Sequence, residues 1–181
     1  MEKITKPMSG YLDQNILFKE VQQFRQKWLM LLLLAAMLVP VCILVVTAYK
    51  QPEESSKLFL SLLAVLVIEI PIFFLFYYSK LETIVVPEGL GYRWWPLQGK
   101  YRMIFKEDIL DIWLRRSPAF TYGYHWLPGY GWVNNIRGRK GIQIKLKSGK
   151  RIYLGSQRID ELRTALEKVL NKRIGDFKNE F

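Results

Sequence analysis

WLMLLLLAAMLVPVCILVVTAY, residues 28–49, and LFLSLLAVLVIEIPIFFLFYY, residues 58–78, are joined by the eight polar residues Lys50 to Lys57. Each run matches the roughly 20 residues that a helix needs to cross a hydrocarbon core of about 30 Å. The pair predicts a transmembrane helical hairpin. A cleaved signal peptide is not expected, because the first run is too long, lacks a small-residue cleavage pattern and is followed at once by a second.

Charge flanking the runs predicts their orientation. Residues 1–27 carry five Lys and Arg against three Asp and Glu, the connecting loop carries two of each, and residues 79–181 carry twenty against ten. By the positive-inside tendency both termini are expected in the cytoplasm and the loop outside, so the chain is expected to be integral to a membrane. Trp28, Tyr49, Tyr77 and Tyr78 suit interfacial anchoring. Cys42, the single cysteine, excludes an intrachain disulfide and reads as a small apolar filler.

Three polar details sit inside the hairpin. Pro40 leaves the carbonyl of Ala36 without its helical donor, and Pro71 does the same to Val67. Glu69 is the carboxylate at this depth, where acidic and basic groups cost about 2.5 kcal/mol or more. One reading makes Glu69 part of a proton or ion path. The other, which the sequence favours, makes it a protonated donor to a freed carbonyl such as that of Ala36, or to a second copy of the protein.

Residues 1–27 form an amphipathic cytoplasmic segment. Within Asp13 to Lys27, the positions Leu17, Val21, Phe24 and Trp28 have helical spacing, which predicts a short interfacial helix. After the hairpin, residues 79–174 form one cytoplasmic domain and 175–181 a frayed tail. Strands are expected at Leu81–Val86, Gly91–Trp95, Tyr101–Phe105, Ile109–Arg116, Gly141–Lys147 and Lys150–Leu154, with turns at Pro87-Glu88-Gly89 and Ser148-Gly149. In the fifth of these Ile142, Ile144 and Leu146 face inward, and Gln143, Lys145 and Lys147 face water. A closing helix follows, with Ser156 as N-cap and Ile159, Leu162, Leu166, Val169 and Leu170 on its apolar face.

Antiparallel strands followed by one amphipathic helix predict an α+β domain: a small barrel or curled sheet closed by the helix. TIVVPEGLG (residues 83–91), IFKEDILDI (104–112) and GIQIKLKSGKRIYLGSQRIDEL (141–162) resemble the bacterial pleckstrin-homology-like (PH-like) domains, many of them anchored by a two-helix hairpin. The resemblance spans roughly residues 80–171. It implies a binding or assembly module and no reaction. Eukaryotic relatives that bind inositides use a basic motif on the first two strands; here that hairpin holds Pro87, Glu88 and Gly89 with only Arg93 nearby, so inositide binding is not implied.

Two surface sets stand out. Arg137, Arg139, Lys140, Lys145, Lys147, Lys150 and Arg151 form a basic set, with no Asp or Glu between Asp111 and Asp160. They are candidates for contact with anionic lipid, ahead of a protein partner and well ahead of nucleic acid. Ser117–Asn135 is rich in aromatic residues and glycine, and Tyr124, Trp126, Tyr130 and Trp132 are candidates for an interface; a strand or two with core aromatics is the other reading.

Nothing amounts to a reaction centre. His125 is the only histidine and has no neighbouring metal ligands; Ser117 and Thr121 lack a base; Glu107, Asp108 and Asp111 read as a solvated turn; GRKG and KSGK lack the spacing of a phosphate loop. No catalytic residue, cofactor or metal is therefore expected. The expected function is a non-enzymatic, membrane-tethered module that contacts a protein partner, itself or anionic lipid. The alternative is a small membrane enzyme or transport accessory subunit using Glu69 and the loop around His125.

Overall fold

A computed structural model describes residues 15–24, 27–51, 53, 55–119 and 121–177. The chain divides into two compact units, one of residues 23–79 and one assembled from the residues on either side of it. The first unit is a pair of packed helices, α1 (Lys27–Lys50) and α2 (Ser55–Tyr78), with Pro40 and Pro71 inside them. Lys27–Lys50 and Lys57–Tyr78 have mean hydropathies of 3.1 and 2.7, and no part of their apolar windows is buried inside the protein. They are long and apolar enough to cross a membrane, and they are not core helices of the other unit. Thr47 and Ser61 return their hydroxyls to the carbonyls of Ile43 and Lys57, which satisfies two polar groups on apolar helices. Phe73 with Tyr77 and Phe74 with Tyr78 stack at helical spacing, so the end of α2 is an aromatic cluster.

The second unit contains two sheets. The first has strand order β1 (Phe18–Gln23), β2 (Lys80–Val86), β3 (Gly89–Trp95) and β4 (Arg102–Phe105). β1 corrects the expectation of an interfacial helix in this stretch. Its alternation is hidden because two of the inward residues are polar: Phe18, Glu20 and Gln22 are buried while Lys19 and Val21 are exposed. The inward polar side chains are satisfied across the fold. Glu20 accepts from Ser156 Oγ at 2.6 Å and from the Gln157 amide at 2.8 Å, and Gln22 donates to the Gly155 carbonyl at 2.7 Å. Leu17, just before β1, donates its amide to Val85 near the end of β2, so the two strands run antiparallel. The helical pair is therefore inserted between two neighbouring strands of one sheet.

The second sheet has order β5 (Ile109–Arg116), β8 (Lys140–Leu146), β9 (Arg151–Gly155), β7 (Gly131–Asn135) and β6 (Gly123–Leu127). All its pairs are antiparallel except β7 with β9, and the ladder between β5 and β8 is irregular between Ile109 and Asp111. The two sheets do not close into a barrel, which removes one of the two forms expected. Side chains join them instead: Trp94 Nε1 donates to Asn134 Oδ1 at 2.9 Å, and Arg102 donates to the Tyr124 hydroxyl at 3.3 Å. Gly175 bridges to Trp113 on β5 and Phe177 packs near Arg116, so residues 175–177 are held to the domain and are not a frayed tail. Residues 178–181 lie outside the described residues.

The last helix, α3 (Ile159–Leu170), buries Ile159, Leu162, Ala165 and Leu166 and ends at Asn171, whose φ of 48° is left-handed. Arg158, not Ser156, stands at its N-cap position; the Ser156 hydroxyl accepts from the Arg158 amide at 3.1 Å while donating to Glu20. On β2, Glu82 is buried and accepts from Tyr101 and Arg93 at 2.7 Å and pairs with Lys80 at 2.7 Å. Burial alone would push its carboxyl up, but Lys80, Tyr101 and Arg93 outweigh it and hold the pKa at about 2. The Tyr101 phenol is pushed up to about 12 by burial and by the carboxylate beside it.

Two outcomes follow from these buried carboxylates. Glu20→Ala strands the Ser156 hydroxyl and the Gln157 amide, so it should cost about 2 kcal/mol in denaturant unfolding of the full chain, although β1 lies 133 residues before Ser156 in order. Glu82 titrates near 2 folded against 4.5 free, so it contributes stability above pH 4.5 that is lost as pH falls from 4.5 to 2. Acid unfolding of Glu82→Gln should start from lower stability and be flatter across that window.

Candidate functional site

The basic residues separate into two groups at the ends of β8. Arg137, Arg139 and Lys140 are exposed at its start, whereas Lys147 and Lys150 are exposed at the β8–β9 turn; Lys145 and Arg151 are cross-strand partners near that turn. A strand of this length separates the two groups by roughly 20 Å. The single strip expected along the chain is thus two patches.

The first patch is built on a tightly held turn. Asn135 Nδ2 donates to the carbonyls of Thr121 and Gly138, each at 2.9 Å; the Ser117 amide donates to the Arg139 carbonyl at 2.7 Å; the Ser156 amide donates to Lys140 at 3.0 Å. The Tyr153 hydroxyl adds a bond to the Arg139 carbonyl at 3.1 Å. Burial pushes the Tyr153 phenol up to about 12, against the opposing effect of Ser117, so it remains a donor at neutral pH. Arg116, which sequence reading passed over, joins this group because it pairs with Lys140 across β5 and β8. These residues border an open cleft of ≈ 440 Å³.

The aromatic segment resolves into the hairpin β6–β7, and the two readings of it each describe part of the set. Trp126 and Trp132 are cross-strand partners, 59% and 42% exposed, and Tyr124 stacks on Trp132 with centroids 4.9 Å apart and rings 8° from parallel. These three form an exposed shelf at the free edge of the second sheet. Arg102 reaches Tyr124, whose hydroxyl helps hold the guanidinium charged, while burial pushes the Tyr92 phenol beneath it up.

Tyr130 differs from its three companions. It lies half-buried in the turn between β6 and β7, its ring 3.7 Å from the Arg115 guanidinium and edge-on to Tyr153, and its hydroxyl donates to the Arg116 carbonyl at 2.9 Å. The turn that carries it covers the face where Gln143 was expected to meet water. Gln143 is instead fully buried and donates to the Tyr130 carbonyl at 2.8 Å. Gly131, at φ 75°, allows this fold-back, since a Cβ there would strike the Arg151 carbonyl.

Glu69 keeps a covered Oε2 with no hydrogen-bond partner among the described residues. His125 is half-buried on β6, and among the described residues no three His, Cys, Asp or Glu side chains group as metal ligands. Glu107 and Asp108 lie in a 3-10 turn after β4 and Asp111 on β5, where it sits 3.8 Å from Lys172.

No protein-family model matches the chain, and neither a curated protein nor a solved structure does.

Tyr130 and Trp126 should therefore respond differently to truncation. Tyr130→Ser removes a cation–π contact and uncovers Gln143, and should cost about 2 kcal/mol. Trp126→Ser should stay within about 0.5 kcal/mol, as a surface substitution. Urea unfolding of the full chain in one detergent compares the two.

Proposed function

We infer that the chain is a bacterial inner-membrane protein with both termini in the cytoplasm. Its sheet-and-helix domain, which we read as PH-like, acts as a non-enzymatic module on the anionic cytoplasmic face of that membrane. The observation that carries this reading is the insertion of the apolar helical pair between β1 and β2. Neighbouring strands of one sheet must lie on one side of a bilayer, so the pair crosses twice and returns. The excess of Lys and Arg on both flanks then favours the cytoplasm as that side.

The tether is short. Gln22, bonded to Gly155, stands five residues before the start of α1, and Lys80 stands two residues after the end of α2. A module held this close to its own membrane meets headgroups at high effective concentration. Its two basic patches each gain about 1 kcal/mol per cation from anionic lipid. Trp126, Trp132 and Tyr124 have the amphipathic rings that settle at headgroup depth. The PH-like assignment is supported by two sheets followed by one amphipathic helix; β1 and the parallel pairing of β7 with β9 are additions to the plain antiparallel pattern.

A second reading, self-association through the spans, is favoured by one observation: the covered Glu69 Oε2 has no hydrogen-bond partner among the described residues, and a second copy could supply one.

Hydrogen exchange of the full-length protein in nanodiscs tests the main reading. Replacing neutral phosphatidylcholine by a mixture rich in phosphatidylglycerol should slow exchange in residues 123–135, and salt near 0.5 M should reverse the effect. Identical exchange in both kinds of disc would sink the lipid-surface reading.

A further inference from the structure

Arg116, Arg137, Arg139 and Lys140 line the ≈ 440 Å³ cleft together with Gly138, Ser156 and Gln157, and among the described residues no carboxylate lines it. Among the described residues, Glu20 stands behind this wall, bonded to its lining residues Ser156 and Gln157, and Asp176 precedes Phe177. Glu20 is 6% exposed with its oxygens bonded to Ser156 and Gln157, and Asp176 pairs with Arg163 at 2.7 Å. Arg116 and Lys140 face each other directly across two strands, a pairing that repels. Both lie by the Phe177 ring, at 5.3 Å and 6.0 Å from its centroid, so the ring spaces them without neutralising them.

The backbone between them is fixed for the same purpose. The carbonyls of Gly138, Arg139 and Lys140 are all taken by donors from within the domain. The amides of Gly138 and Arg139 donate to no group among the described residues. Gly138 has φ 91°, and a Cβ there would meet nothing within 4 Å, so the turn opens outward. Spare amides around a left-handed glycine form a concavity suited to anions, and arginine forks match phosphate oxygens.

We propose that this cleft recognises a phosphate monoester, carried either by a lipid headgroup or by a free phosphorylated small molecule. The inference rests on reading the domain as a binding module, but it does not need the aromatic shelf to touch lipid. A dianion balances four cations better than the single charge of a phosphodiester does. The volume falls within the range of roughly 300–1,000 Å³ common for small-ligand sites, so a phosphate fits with a glycerol-sized group attached.

The test is hydrogen exchange of residues 136–141 in the full-length protein in nanodiscs. Three conditions are compared: neutral discs with added glycerol 3-phosphate, discs containing phosphatidic acid, and discs containing phosphatidylglycerol at matched surface charge. We expect protection of about tenfold with glycerol 3-phosphate, phosphatidic acid or both, and much less with phosphatidylglycerol. Protection by phosphatidic acid alone assigns a lipid headgroup; protection by glycerol 3-phosphate assigns a free phosphorylated molecule as an accessible ligand.

Arg137→Gln with Lys140→Gln should abolish the protection, and neither side chain makes a hydrogen bond among the described residues, so the fold is spared. Lys147→Gln with Lys150→Gln, the same loss of charge at the far end of β8, should leave it intact. No protection by either monoester, equal protection by phosphatidylglycerol, or equal loss in both double variants would overturn the proposal. If residues 136–141 are protected while residues 123–135 are indifferent to anionic lipid, the lipid-surface reading fails and the cleft stands.

Discussion

The Glu20 carboxylate joins the beginning of the described chain to its end. It sits on β1, before the apolar helices, and holds the Ser156 hydroxyl and Gln157 amide that lead into α3. A buried carboxylate is costly unless its oxygens are occupied, and here both are. The same connection therefore fixes β1 in the first sheet, sets the approach of α3 and shapes one wall of the basic cleft. Gln22 repeats the arrangement one step along the strand through Gly155.

Polar contacts, and not a continuous ladder, hold the two sheets of this domain together. Trp94 reaches Asn134 and Arg102 reaches Tyr124, while Leu90, Ile142 and Leu154 of the two sheets are fully buried. Leaving the sheets unclosed keeps β6 as a free edge. Free edges are commonly protected by short strands and charge. β6 is short, at five residues, and its outer surface carries exposed aromatic rings.

Much of the architecture was legible in the sequence, because apolar periodicity reports burial directly. The two long runs became α1 and α2, and the strands at 80–86, 89–95, 102–105, 109–116, 140–146 and 151–155 follow the expected segments closely. What was hidden shares one cause, namely polar side chains that are buried and satisfied at long range. Glu20 and Gln22 concealed β1, Gln143 looked solvent-facing until Tyr130 folded over it, and Ser156 looked like a cap until Glu20 claimed it. The basic residues were visible, but their division into two patches depends on strand register, and the membership of Arg116 and Phe177 in the first patch depends on contacts across elements.

The place of the helical pair within the sheet also constrains how the protein is made. A ribosome delivers β1 first, then both helices, and only afterwards the strand that β1 pairs with. β1 must therefore wait unpaired, with its buried face of Phe18, Glu20 and Gln22 exposed, while 57 residues of the apolar unit are synthesised. Its two polar side chains make that wait safer, since an apolar face of the same length would invite aggregation. The polar residues of β1 thus serve the finished fold through Ser156, Gln157 and Gly155, and they keep the waiting face from being wholly apolar.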